Sequence, residues 1–309
     1  MLDSSIRVLN FDDSVVRQEK LLAVYKAEVI ELKDIAPEAR FWLSGKTGDE
    51  ITRRVSSFSK SSVTFLGSGD FHHISNILIN AVEGPLTVIN FDFHPDWNIF
   101  PSCLSCGSWV TETLKNNSVV KFVLVGMCSG KASSFSVQAG NYASLEDDRV
   151  EIYPWSQCPS VAFFRRVPRN ISVKAENRRF FTKIYWNELK GKNLTEFLLD
   201  VFKRLPARRV YVSIDKDCLQ KRYSLTNWQE GQLSMDDLLL MLKLIKQHLD
   251  IVGADISGDY SEIFIKGPIK KIVSRVNHPK EFSARGFSQS RITGMNEDTN
   301  LKIMKLLTG

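Results

Sequence analysis

Two mostly apolar runs in this chain end in alternating acids, and that feature constrains the fold more than any other. Leu86–Phe91 (LTVINF) leads straight into Asp92-Phe93-His94-Pro95-Asp96, and Arg209–Ile214 (RVYVSI) leads into Asp215-Lys216-Asp217. Apolar runs of this length without strict alternation read as strands buried on both faces, the situation of a parallel sheet covered by helices. In such sheets ligands bind beyond the carboxyl ends of the strands. Alternate side chains of an extended segment share a face, so each motif can aim its acids and imidazole at one point.

The same rhythm continues elsewhere. Ser62–Leu66 reads as a buried strand, Gly67-Ser68-Gly69-Asp70 as its turn, and Phe71 to about Val82 as a helix with Ile74, Ile77, Leu78 and Ala81 on its apolar face. Val119–Val125 and Leu249–Ile256 are further strands, and Asn296–Leu307 a closing helix. Ser234 to His248 reads as a helix with Ser234 as N-cap and Asp236 and Asp237 in the first turn. Strands alternating with helices predict an α/β fold with a parallel sheet covered on both sides. Tyr153 to Lys192 mixes aromatics with Arg and Pro and has no clean period; it is read as a continuation of the sheet plus a long insertion over the site.

Composition narrows the function classes. A chain of 309 residues, 43 % hydrophobic and 25 % charged, is of ordinary globular make-up. The net charge of +6 is spread over short basic pairs such as Arg53-Arg54, Arg165-Arg166, Arg178-Arg179 and Lys270-Lys271, read as solvated faces rather than a nucleic-acid surface. No signal peptide and no membrane span is expected, since the most apolar windows, such as Leu238–Ile245, are short and broken by Lys. Five cysteines without a disulfide spacing suit reduced thiols in a cytoplasmic protein; Cys128 and Cys158 are read as buried apolar residues.

The chemistry lies at the strand ends. Carboxylates mixed with imidazole suit Mn, Fe or Zn, whereas an all-oxygen set suits Mg or Ca. Two strand ends that each present alternating carboxylates would repel one another without cations between them. Gly67-Ser68-Gly69-Asp70-Phe71-His72-His73 adds a histidine from a tight strand-to-helix turn, and three of the chain's five His fall in these motifs.

These three segments resemble, in order and separation, the Gly-Gly-Asp-His-Ser, Asp-Ala-His-x-Asp and Ser-x-Asp-x-Asp signatures of the ureohydrolase (arginase, agmatinase and formiminoglutamase) superfamily. The resemblance spans residues 67 to 217 and continues through Gly231-Gln232-Leu233-Ser234 and Val252–Ile256, with no counterpart placed for the first 55 residues or so. It implies a three-layer α/β/α sandwich, one arginase-like domain over 1–309 with an insertion near 153–192, and two Mn ions, with Zn or Fe as alternatives. His72, Asp92, Asp96 and Asp215 would hold one ion, and Asp92, His94, Asp215 and Asp217 the other. His72 is preferred to His73 because an ungapped match from Ile74 sets it on the family's His. Assemblies of several subunits are also implied.

Two metals acidify a shared water for attack on a carbon–nitrogen centre, with Asp217 positioning the water and handing a proton to the leaving amine, and Asp92 the second candidate catalytic residue. Trp97, Asn98, Cys106, Trp109, Trp228, Glu230 and Asp259 are the candidate contacts to a small-molecule substrate. The chain departs from the family pattern at three places. Cys106-Gly107 replaces a His-Gly, Cys218-Leu219-Gln220-Lys221 stands where an Asp-Pro follows the third motif, and Ser257-Gly258-Asp259 replaces the acid used for guanidinium substrates. It is closer to uncharacterised arginase-fold proteins with Asp-x-His-Pro-Asp-Trp and Cys-Gly-Ser-Trp segments. Metal binding is expected; arginine or agmatine as substrate is not. The competing expectations are a single-zinc deacetylase-like amide hydrolase and a non-catalytic metal-binding member of the fold.

Overall fold

The computed structural model describes residues 6–56, 63–129, 135–278 and 286–309. Thirteen strands are described: β1 (Ile6–Asn10), β2 (Glu28–Glu31), β3 (Val63–Gly67), β4 (Leu86–Phe91), β5 (Val119–Val125), β6 (Cys128–Ser129), β7 (Val150–Tyr153), β8 (Ser156–Gln157), β9 (Ser160–Phe163), β10 (Val173–Asn177), β11 (Phe181–Trp186), β12 (Arg209–Asp215) and β13 (Asp250–Ser257). Eight form one sheet in the order β2-β1-β3-β13-β12-β4-β5-β7, and every neighbouring pair is parallel. Ser62, the expected start of β3, lies outside the described residues.

The expected two-sided burial follows from the pleat. Val88 and Leu124 enter one core, with Ile51, Val55, Leu78 and Val110 from the helices on that face. Their neighbours Ile89 and Val123 enter the other, with Leu21, Leu198, Leu238 and Ile303. The result is a three-layer α/β/α arrangement. Because β13 and β12 sit between β3 and β4, the loops after β3, β4, β12 and β13 leave the same rim of the sheet side by side. That adjacency, between segments as far apart in sequence as Gly69 and Ser257, is what positions the site.

Local chemistry adjusts several boundaries. The expected helix from Phe71 begins as a 3₁₀ turn, Gly69–Ile74, because the Ser68 hydroxyl caps the Asp70 amide (3.3 Å); regular helix then runs Ser75–Asn80. Ser234 caps Met235–His248 as its sequence predicts, accepting from the Asp237 amide at 3.1 Å. The closing helix is longer than its apolar pattern, Gln289–Thr308, and starts at a Ser288 cap.

The 153–192 region resolves into separate parts. Tyr153 ends the last strand of the main sheet, and β10-β11-β9 form an antiparallel sheet of their own. Its inner residues Ala162, Val173, Ala175, Ile184 and Trp186 join the first core, where Trp186 meets Trp97 edge-on at 6.4 Å. Cys158, read as buried, is exposed: it sits in the connection between β8 and β9, outside either core. Among the described residues no helix is long and apolar enough to cross a membrane.

Candidate metal centre

The rim gathers all six residues singled out as ligands. His72 turns its Nδ1 toward Asp92 Oδ2 (3.1 Å), Asp215 Oδ2 (3.5 Å) and Asp96 Oδ2 (3.8 Å). His94 turns its Nδ1 toward Asp217 Oδ2 (3.1 Å) and Asp92 Oδ1 (3.6 Å). Two donor groups result, His72/Asp92/Asp96 and Asp92/His94/Asp217, and the two oxygens of Asp92 serve one each. Asp215 stands with the His72 group. His73 is turned away, its Nδ1 3.3 Å from the Cys106 thiol, so His72 is the imidazole presented to the acids.

Backbone donors fix the acids in place. Asp92 accepts from the His94 amide (2.7 Å), Asp215 from the Asp217 amide (3.0 Å), and Asp217 from the Phe93 amide (3.0 Å), so the β4 and β12 loops are stitched to each other. The Ser257 hydroxyl at the end of β13 donates to Asp215 (3.0 Å). Glycine is required where other loops press on Asp215. A Cβ on Gly69 would stand 2.8 Å from Asp215 Oδ2, and one on Gly258, which has φ +86°, would stand 2.4 Å from Oδ1. Asp96 adopts a left-handed backbone (φ 45°) and accepts from Trp109 Nε1 at 2.9 Å, while the Trp109 ring packs against His72.

The far nitrogens of both imidazoles are occupied. Ser213 Oγ donates to Asp255 (2.7 Å), so it must accept from His72 Nε2 (2.9 Å); the neutral imidazole then carries its proton on Nε2 and frees the Nδ1 lone pair for a metal, while the imidazolium donates from Nδ1 to Asp92. His94 Nε2 meets the Gln229 carbonyl oxygen at 2.9 Å, with the same consequence. Neither Gln229 nor Asp255 was singled out from the sequence. Asp255 lies in an ordinary buried strand pattern, and Gln229 in a loop whose path no periodicity reveals.

Electrostatics show how crowded the rim is. Burial alone would depress His72, but Asp92 and Asp215 raise it to about 10. Burial opposes charge on His94 too, yet Asp217 and Asp92 lift it well above its usual value. Burial together with Asp92 pushes Asp96 and Asp215 up. Asp217 rises to about 8 through burial and the charges of Asp215 and Asp92. Asp92 is held low despite burial because both imidazoles face it. Four acids in one dry pocket can all ionise only if cations join them, and oxygen with imidazole nitrogen is the donor chemistry of Mn, Fe or Zn.

The substrate-contact candidates scatter. Trp228 and Trp109 lie at the centre; Trp228 meets His94 edge-on at 5.2 Å and donates to Asp70 (2.8 Å), which also binds Arg40 and His278. Cys106 is buried, 3.2 Å from the Asp70 carbonyl. Trp97 is a core residue bonded to the Ser136 carbonyl, and Asn98 is buried with its amide on Gly107. Glu230 pairs with Lys221 at 3.3 Å. Asp259 is buried, ion-paired with Lys216 at 2.8 Å and bonded by Gln18 at 2.7 Å, so its carboxylate ties the Asp215–Asp217 turn to the N-terminal segment.

Comparison with known proteins bears on the fold. No family model matches the chain. An uncharacterised protein of Thermotoga maritima is 26 % identical over 259 residues, 84 % of this chain and 81 % of its own length. Among solved structures, arginase from Entamoeba histolytica superposes with a TM-score of 0.59 at 12 % identity, covering 100 % of this chain and 99 % of its own. Arginase from Bacillus subtilis gives 0.55 at 12 % identity (99 % and 98 % covered), and agmatine ureohydrolase of Thermoplasma volcanium 0.54 at 12 % (98 % and 88 %). Residues 6–55, unplaced by sequence, lie within the arginase superposition, where they supply the edge strand β2 and its inner neighbour β1. The chain therefore has the three-layer fold of these arginases, at low sequence identity to each of them.

Proposed function

We propose that this protein is a binuclear metal-dependent hydrolase of a carbon–nitrogen bond, amidine or amide in type, in a small molecule, built as a single arginase-like domain over residues 1–309. The observation that carries the reading is the pair of donor groups sharing Asp92, each completed by an imidazole whose far nitrogen is already bonded. His72, Asp92, Asp96 and Asp215 would hold one ion and Asp92, His94, Asp215 and Asp217 the other; two Mn ions suit the set, and Zn or Fe also fit. When bound, such a pair makes a shared water acidic near neutrality and offsets negative charge that develops on the substrate.

The protein's own groups supply the rest. Asp217, a carboxylate set beside His94 at this rim, would take a proton from the attacking water and pass it to the leaving nitrogen. Trp228 and Gln229 bring aromatic and amide surface beside His94, the more open side of the site. Asp259 holds Lys216 rather than facing the rim, so recognition of a guanidinium by that acid is not part of this reading, and the substrate class stays an amidine or an amide. One imidazole in each donor group also favours two ions over a single zinc.

The test is metal content per chain after loading with Mn, for wild type and for Asp92→Ala with Asp215→Ala. About two ions in wild type and almost none in the variant are expected, with circular dichroism to show that the variant still folds. Wild-type protein that takes up no metal would end the proposal. Loaded protein that releases no amine or ammonia from a panel of amidines, ureides and amides would leave a metal-binding member without this activity.

A further inference from the structure

In sequence, Phe163-Phe164-Arg165-Arg166 and Arg178-Arg179-Phe180-Phe181 are two separate blocks, each a mirror of the other. The small antiparallel sheet joins them. Phe163 pairs with Phe181 across β9 and β11, the Phe164 amide donates to the Phe180 carbonyl (2.9 Å), and the Arg178 amide donates to the Phe181 carbonyl (2.9 Å). Four phenylalanines so share one end of the sheet, and their exposure rises outward: Phe181 39 %, Phe163 50 %, Phe180 57 % and Phe164 81 %. Phe164 holds a left-handed backbone (φ 51°), an uncommon conformation for a bulky residue, at the very point where it projects furthest.

Charge is concentrated in the same small sheet, with Arg178 and Arg179 at this end of it. Residues 161–185 contain seven Lys or Arg and one acid, Glu176, which gives this stretch a formal +6; the whole chain also carries +6, so the remainder is balanced. Glu176 meets Arg178 at 3.9 Å, and Arg179 lies over the Phe180 ring at 5.3 Å. An exposed apolar cluster on a folded domain marks an interaction surface. A second copy of this chain fits poorly, because a two-fold contact would set this charge against itself.

We propose that this end of the β9-β10-β11 sheet docks onto anionic phospholipid surface, the phenylalanines entering the interface and the arginines meeting lipid phosphates. Aromatic side chains beside a basic patch provide the two signals that hold a protein on a membrane surface without spanning it. The rings are most exposed at the outermost turn, beyond the strand faces. A single-strand nucleic-acid platform would instead lay its rings along a basic groove.

The experiment is co-sedimentation of the full chain with vesicles of phosphatidylcholine alone or with about a third phosphatidylserine, run beside a labelled oligouridylate and a measurement of solution mass. Binding to the anionic vesicles is expected to exceed binding to neutral ones by about tenfold or more and to weaken with salt. Phe164→Ser with Phe180→Ser should lower it about tenfold, and Arg178→Ser with Arg179→Ser should lower it and flatten the salt dependence, with metal content and melting temperature unchanged in both. Failure to sediment with anionic vesicles, or sedimentation untouched by either variant, overturns the proposal. Oligouridylate binding in its place would assign the patch to nucleic acid, and a dimer that the Phe variant dissociates would assign it to a second copy.

Discussion

The two imidazoles of the rim are chemically alike and structurally unlike. His72 is 2 % exposed, packed under Trp109, and bonded at Nε2 to Ser213 of a central strand, which is itself bonded to Asp255 of the next strand. His94 is 25 % exposed, and its Nε2 rests on Gln229 from the loop after β12. One arm of the site is held by the sheet and the other by a loop that water can reach. Precise placement comes with the first; adaptability and substrate access come with the second.

The largest expected effect separates the arms directly. His72→Ala and His94→Ala should each remove about one ion per chain, but their cost to the metal-free fold should differ. Loss of His72 leaves Asp92, Asp96 and Asp215 buried without their cation, a change that costs about 3–5 kcal/mol. Loss of His94 should cost less than half as much, since solvent reaches that side. Denaturant melts of the two chelator-treated variants decide it; equal losses would erase the distinction.

Protonation gives the next effect. The folded His72 titrates at about 10, above the value near 6.5 of an unfolded chain, so its contribution is complete below about 6.5 and is lost as pH rises through about 10. Asp217 acts in the same direction: raised to about 8, it keeps a proton in the folded state that the unfolded chain has released above about 4. Metal-free protein should therefore lose stability from about pH 4 to 8 through Asp217 and from about 6.5 to 10 through His72, by about 1.4 kcal/mol per pH unit for each proton within its window. Metal must displace these protons, so the melting-temperature gap between loaded and chelated protein should widen with pH; a gap that stays constant would contradict the assignment.

Smaller differences should follow from the outer partners. Ser213→Ala leaves His72 Nε2 and Asp255 without their shared hydroxyl in a dry site and should weaken metal binding about 100-fold. Gln229→Ala exposes His94 Nε2 to water, which can take over as acceptor, and should weaken it about tenfold. Titration with Mn into each variant reads both.

Legibility divides along the same line. The strands were readable because burial on both faces writes long apolar runs such as Val119–Val125, and the gathering of candidate ligands at one rim because the acids alternate where those runs stop. Strand order was not readable, since nothing in β12 or β13 says that they insert between β3 and β4. Asp259 looked like a substrate acid, but its partners Lys216, Gln18 and Asn300 come from three distant segments that only the fold assembles. The Arg pairs read as solvated faces and the Phe pairs as part of an insertion over the site, because their pairing depends on a register between strands some 18 residues apart.

Trp228 offers the finest probe of the loop-held arm. Its indole nitrogen donates to Asp70, and its ring stands edge-on to both His94 and His278, so it links the loop that carries Gln229 to the turn that carries His72. Trp228→Phe keeps most of the ring contact and deletes the bond. Asp70 stays paired with Arg40 and His278, so the fold should lose only about 1 kcal/mol. If Trp228 acts by fixing the loop, the variant should still bind its first ion normally and its second several-fold more weakly, because only the His94 group depends on that loop. Equal weakening of both ions would mean that Trp228 supports the 3₁₀ turn instead, and that the two arms share one anchor.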